Sequence, residues 1–222
     1  MKNLQNKLIF FLLFTILGFI FLQIPFNKLA GSNVSFTLFD FFAPIAGAFL
    51  GPFYGIGSVL AVEVINTWFK HSPLTTGSMI RLFPVLFAVY YFATINNKKY
   101  QGRWILAVPI ISIIAFLAHP IGRQVPYYPL MFWTIPLIAY RFRNNLFLKS
   151  LGTTFTAHSV GGAAWIWAFN LKTSIWQGLI PVVIAERLLF ALGIAASYLV
   201  IKHTLDYLAL KKILPRLEHA VS

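Results

Sequence analysis

The chain contains no cysteine. Disulfides, thiolate metal sites and cysteine nucleophiles are therefore excluded, while the compartment stays open. Charge is also scarce. Charged residues are 10% of the 222-residue chain, whereas a soluble domain carries roughly 25%. Acidic residues are scarcer still, with five against 18 Lys and Arg. No H-E-x-x-H, G-x-S-x-G, carboxylate-rich metal motif or ATP-binding motif occurs, which removes the common hydrolase, zincin and ATPase signatures. His119, His158 and Glu63 could in principle form an acid–base or metal site, but they fall on three separate apolar blocks. Ser159 follows His158 directly, and adjacent helical residues diverge, so the two make no dyad. Neither an enzyme, a metal nor a cofactor is expected.

What is abundant is apolar sequence. Hydrophobic residues make up 59% of the chain, and no long polar segment separates the apolar blocks. The composition predicts an all-α, polytopic transmembrane helical bundle forming a single integral membrane domain over residues 1–222. A β-barrel is a poor alternative, because barrel strands alternate and these blocks are continuously apolar. The net charge of +13 does not imply nucleic acid. The basic residues lie in short loops between apolar blocks, as positive-inside bias places them, and no basic stretch alternates with exposed aromatics. Lys2 and Lys7 precede the first apolar run; a signal-peptide cleavage near Ala30 would put Lys28 at the −3 position, so a retained first helix is expected.

Apolar blocks fall at 8–24, 37–69, 75–95, 104–118, 126–140, 150–169 and 177–201. As one helix the second would run about 50 Å, against a hydrocarbon core of about 30 Å. Gly51-Pro52 offers a break, since glycine suits a helix end and proline the first turn of the next. Splitting there gives about eight spans, with six or seven as alternatives. The inner segments then hold Lys2, Lys7, Lys98, Lys99, Arg103, Arg141, Arg143, Lys149, Lys202, Lys211, Lys212 and Arg216, and the outer ones only Lys28, Lys70, Arg123 and Lys172. That asymmetry favours a helical hairpin turning at Gly51-Pro52 and both termini cytoplasmic in the plasma membrane. The block "PYYPLMFWTIPLIAY" (126–140) is the shortest and carries three prolines; it either spans or re-enters.

The stretch "VSFTLFDFFAPIAGAFLGPFYGIGSVLAV" (34–62) carries Phe36-Thr37-Leu38, Gly47, Gly51-Pro52, Gly55 and Gly57. It resembles the signature region of the substrate-binding S components of energy-coupling factor vitamin transporters. There an extended segment leads into a short helix, and a Gly-Pro turn starts the next. The resemblance implies a membrane-embedded binding subunit for a small vitamin-like solute, working with a coupling subunit and ATPases. S components generally have six spans and an Ala-x-x-x-Ala docking surface on the first helix. The first helix here, "KLIFFLLFTILGFIFLQIP", has no alanine, which suits a solitary transporter or a divergent relative.

Ionisable residues inside spans are costly and usually face the protein interior. On the eight-span reading Glu63, His158, Glu186 and Arg187 fall near mid-span and Arg81 in the outer half, with Asp40 and His119 near outer span ends. Glu63 shares its helix face with Asn66 and Thr67. The small residues of "FTAHSVGGAAW" around His158 allow close helix approach. Glu186 and Arg187 are adjacent and point about 100° apart, so they are not expected to share one partner. Tyr127, Tyr128, Trp133, Trp165 and Trp167 either stack a planar ligand or form an interfacial belt. The substrate-binding candidates are thus Glu63, Asn66, Thr67, Arg81, His158, Trp165, Glu186 and Arg187. Arg81 and Arg187 would clamp an anionic group, because guanidinium forks match carboxylates. The expected function is transport or capture of a small polar or vitamin-like solute. A membrane assembly or sensor protein and an intramembrane enzyme are the alternatives.

Overall fold

A computed structural model describes residues 2–28, 35–71, 73, 75–95 and 102–215. Lys98, Lys99 and Arg216, counted above among the inner charges, lie outside the described residues. The described residues are all-α apart from one short hairpin. Among the described residues the helices are α1 (Lys2–Leu22), α2 (Phe39–Leu50), α3 (Pro52–Phe69), α4 (Thr76–Thr94), α5 (Ala107–Ala118), α6 (Tyr127–Trp133), α7 (Ile135–Arg141), α8 (Leu146–Phe169) and α9 (Thr173–Leu210). A 3-10 turn, Gly102–Leu106, leads into α5. Strands β1 (Pro25–Lys28) and β2 (Ser35–Thr37) pair antiparallel between α1 and α2.

The break at Gly51 has a local cause. Gly51 takes φ 83°, ψ 163°, closing α2, and Pro52 opens α3 at a position that needs no backbone donor. The two helices then fold back almost backbone to backbone. A Cβ added at Gly55 would lie 2.5 Å from Gly47 Cα, so only hydrogen fits there. The block at 126–140 is not one helix. It breaks at Thr134, where the Oγ1 turns back to Leu130 O at 2.8 Å, and Pro136 begins the first turn of α7.

Contacts at the helix ends give the direction of each segment. Lys7 Nζ sits over the Tyr54 ring, and beyond the other end of α1 the Gln23 amide donates to Asn66 Oδ1 at 3.1 Å, so α1 and α3 run parallel. Lys149, in the first turn of α8, lies 4.2 Å over the Phe92 ring near the end of α4. His119 and Asn170 meet at 2.9 Å past the ends of α5 and α8, and Gln177 donates to Tyr127 Oη at the starts of α9 and α6. With α6 and α7 taken as one broken segment, successive segments alternate in direction.

Two cores result. The first gathers Phe10, Phe14, Phe42, Phe49, Val59, Phe92 and Ile194 from α1 to α4 and the later part of α9. The second gathers Phe116, Tyr128, Trp133, Phe155, Ile166, Trp176 and Val183 from α5, α6, α8 and the early part of α9. Four buried hydroxyls are satisfied within their own helices. Thr94, Ser150, Thr153 and Thr156 each donate to the carbonyl one turn back, so small polar residues can line packed faces without leaving an orphan. The outer surface is apolar, including Leu8, Leu12, Ile16 and Ile20 along one stripe of α1 and Ile110, Ile111 and Ile114 on α5. Among the described residues three helices are long and apolar enough to cross a membrane: Leu4–Leu22, Thr76–Thr94 and Thr173–Leu210. At about 1.5 Å per residue α2 is only about 18 Å long, whereas α9 reaches about 57 Å.

Replacing Gly55 by leucine should force α2 and α3 apart and cost about 1–3 kcal/mol, read as a lowered unfolding temperature in detergent. Gly178→Ala is the control, since nothing lies within 4 Å of an added Cβ there.

Candidate functional site

Five charged side chains come from elements that meet between the two cores. Asp40 lies in the first turn of α2, where the helix dipole favours a carboxylate. Its Oδ2 accepts from Thr37 N at 2.7 Å and from Thr37 Oγ1 at 3.3 Å, fastening β2 to α2. Arg81 on α4 and Arg187 on α9 both lie within electrostatic reach of that carboxylate. Glu63 on α3 is within reach of Asp40, Arg81 and Lys70. Arg81 and Lys70 are exposed, so they border the buried charges.

Their depths agree. Measured along the helices at about 1.5 Å per residue, Asp40 stands about 15 Å from the α2 end at Leu50, and Glu63 about 16 Å from Pro52. Arg81 lies about 20 Å from the end of α4, and His158 about 14 Å beyond Lys149. Tyr198 stacks on Phe49 at the α2 end, with ring centroids 5.4 Å apart, and Arg187 is about 16 Å back from it along α9. All five therefore fall within about one helical turn of a common plane.

Arg187 is the hub. Its Nη1 donates to Thr154 Oγ1 on α8 at 3.1 Å, and its Nη2 pairs with Glu186 Oε2 at 3.6 Å. The guanidinium lies 4.5 Å from the Phe190 ring centroid and 5.9 Å from that of Phe36. The Nε is buried and has no hydrogen-bond partner among the described residues. The expectation that Glu186 and Arg187 cannot share a partner is met differently: they are each other's partner. Their Cβ atoms diverge, but the side chains are long enough to curl back. Both side chains are largely withdrawn from solvent, at 10% and 11% exposure.

His158 sits beside this cluster in a separate arrangement. Trp133 Nε1 donates to its Nδ1 at 3.1 Å, and Tyr128 Oη stands 3.3 Å from its Nε2. Phe132 and Phe155 complete an aromatic surround, each with its ring centroid 5.9 Å away. Arg187 is within electrostatic reach of both His158 and Tyr128. Tyr128 and Trp133 thus belong to the core, whereas Tyr127 and Trp167 are exposed.

The remaining candidates are bound elsewhere. Asn66 turns to Gln23 just past α1, and Thr67 Oγ1 donates to Glu63 O in its own helix. Trp165 packs on Phe169 with centroids 4.4 Å apart, at the edge of the second core. His119 accepts from Ile121 N and meets Asn170, holding a turn. Asp40 as a member of the cluster, and Thr154 as the α8 partner of Arg187, are additions to the sequence reading. The Thr37-Leu38-Phe39-Asp40 run at the start of a short helix was the signal for Asp40; nothing in sequence marked Thr154. A cavity of about 200 Å³ lined by Phe21, Phe42, Ala196, Ser197, Val200 and Ile201 is apolar apart from Ser197 and contains none of the charged side chains. Among the described residues no three His, Asp or Glu are grouped to hold a metal ion.

An uncharacterized protein of Methanocaldococcus jannaschii is 25% identical to the chain over 203 residues, an alignment covering 83% of this chain and 67% of that protein. No family model matches the chain. No solved structure matches it.

Arg187→Met leaves Glu186 buried without its cation and should cost on the order of 3 kcal/mol. Combining it with Glu186→Gln should restore part of that loss. Thermal unfolding of the two variants and the parent checks this, and equal losses would mean that the pair contributes no coupling.

Proposed function

We propose that the chain is a multi-pass membrane protein that binds and moves a small polar or vitamin-like solute through the charged cluster in its centre. Eight crossings correspond to α1, α2, α3, α4, α5 with its preceding turn, α6 with α7, α8 and α9. The alternating direction of these segments, the apolar outer surface and the basic residues gathered at one end support this topology, with both termini cytoplasmic. The short α2 fits as a half-length segment whose outer continuation is the β1–β2 hairpin. Such backbone is tolerated at membrane depth when it pairs with itself and is covered by protein. Phe36 against Phe190, with centroids 4.8 Å apart, and Phe26 against Phe41, at 4.5 Å, supply that cover.

The observation that carries the solute-binding reading is Arg187. A guanidinium is retained at mid-bundle with its Nε donor unanswered among the described residues, and buried polar groups are normally paired. A solute carboxylate or carbonyl would answer it. Asp40, Glu63 and Arg81 at the same depth would hold the rest of a polar molecule. The resemblance of 34–62 to S components supports a vitamin-like substrate and a partnership with a coupling subunit and ATPases. The alanine-free first helix supports a solitary transporter instead.

In vesicles screened with radiolabelled vitamins and small carboxylates, uptake of the accepted solute should fall at least about tenfold in Arg81→Ala and Glu63→Gln, with folding retained. Uptake unchanged after neutralising Glu63, Arg81, Glu186 and Arg187 would refute the cluster as a solute site. Those substitutions changing only stability or partner recovery would instead indicate an assembly protein. Co-purification of an ATPase and a coupling subunit separates the S-component reading from the solitary one, and a tag at Asn97 should be labelled only from the cytoplasmic side.

A further inference from the structure

The hydrogen bonds through His158 have a direction. An indole N–H only donates, so the 3.1 Å contact makes His158 Nδ1 the acceptor from Trp133 Nε1. A ring nitrogen that accepts carries no proton, so the imidazole is neutral and its hydrogen is on Nε2. That N–H points to Tyr128 Oη at 3.3 Å. Tyr128 therefore accepts from His158, and its own O–H is directed away from the ring. The hydroxyl has no acceptor among the described residues, and the neighbouring rings of Phe116, Phe132 and Trp176 offer none. Tyr128 is 1% exposed, where an unanswered donor is costly. The charged groups within its reach are Arg187 and Glu186, and Glu186 is already committed to the guanidinium at 3.6 Å.

Resting on the solute-binding reading above, we infer that Tyr128 is a solute-contacting residue: its hydroxyl, aimed by Trp133 through His158, joins the Arg187 guanidinium as a neutral second donor to one carboxylate-type group of the solute. Trp133 and His158 are positioning residues, which set the direction of the Tyr128 proton without touching the solute. The arrangement needs histidine at 158, since the ring must accept on one side and donate on the other. It needs tryptophan at 133, since only a donor that cannot accept fixes the tautomer. Phenylalanine rings around His158 exclude competing partners. Selectivity follows from the chemistry. A guanidinium alone accepts any anion, whereas a guanidinium and a fixed hydroxyl together favour a group presenting two acceptor oxygens.

Two measurements on the full-length protein in lipid nanodiscs test this. With ¹⁵N-histidine labelling and His158→Gln for assignment, His158 should show the neutral Nε2–H pattern, and Trp133→Phe should release it to a mixture of tautomers. An Nδ1–H tautomer in the unmodified protein overturns the directed chain. Benzoate, a planar carboxylate, serves as the binding probe. Its affinity should fall about tenfold in Tyr128→Phe, with the His158 tautomer unchanged, and by a smaller factor in Trp133→Phe. Benzoate bound by the parent and equally well by Tyr128→Phe overturns the role of Tyr128 alone. Benzoate bound by neither, with the tautomer as drawn, counts against the anion site itself.

Discussion

The approach of Gly55 to Gly47 governs the rest of the bundle. Two helices of unequal length leave a single turn at Gly51, and their separation and stagger are set where the glycines touch. Because both start from the same level, Asp40 at the far end of the short α2 and Glu63 in the interior of the longer α3 arrive at nearly the same depth. A side chain at either glycine would tilt the pair and carry the two carboxylates apart. The same contact presses Gly47 toward Val89 and Ala93 of α4, the helix that carries Arg81. A constraint with no charge in it thus determines which charges meet.

The most buried of these groups persist because each is compensated by a different means. Asp40 has the first turn of a helix and the Thr37 donors. Glu186 has Arg187 in its own helix, and Arg187 has Thr154 and two aromatic faces. A guanidinium is the cation best suited to such a place, being weakly hydrated and able to stack. His158 is compensated by neutrality, held as an uncharged ring by Trp133. The price is positional rigidity, since a buried polar group is stable only while its partner stays within hydrogen-bond distance.

Much of this was legible in the sequence wherever local chemistry decides. Gly51-Pro52 marks a turn whatever surrounds it, and the helices end there within two residues of the expected positions. What stayed hidden depends on side-chain reach and on neighbours far away in the chain. A helical wheel separates Glu186 from Arg187, yet flexible side chains rejoin them. Tyr128 and Trp133 lie in an aromatic, proline-containing block that resembles an interfacial belt, and only the packing of α6 against α8 turns them inward to His158. Thr154 is one of several threonines in α8 that bond to their own helix or pack quietly. Only its position opposite Arg187 distinguishes it.

The position of Glu186 and Arg187 along α9 ties the fold to the site. Trp176 and Val183 belong to the second core, and Ile194 and Tyr198 pack with the first. The charged pair falls between them, where α9 leaves one core and enters the other. A packed core has no room for a guanidinium, and the exposed apolar surface gives it no partner. The seam between two cores can hold it, because polar groups from β2, α2, α3, α4 and α8 converge there from both sides. The two sides also pack closely on each other, since Lys149 of α8 lies over the Phe92 ring of α4 and Tyr91 Oη donates to Pro136 O. Helix α9 passes from one core to the other at the point where it carries Arg187.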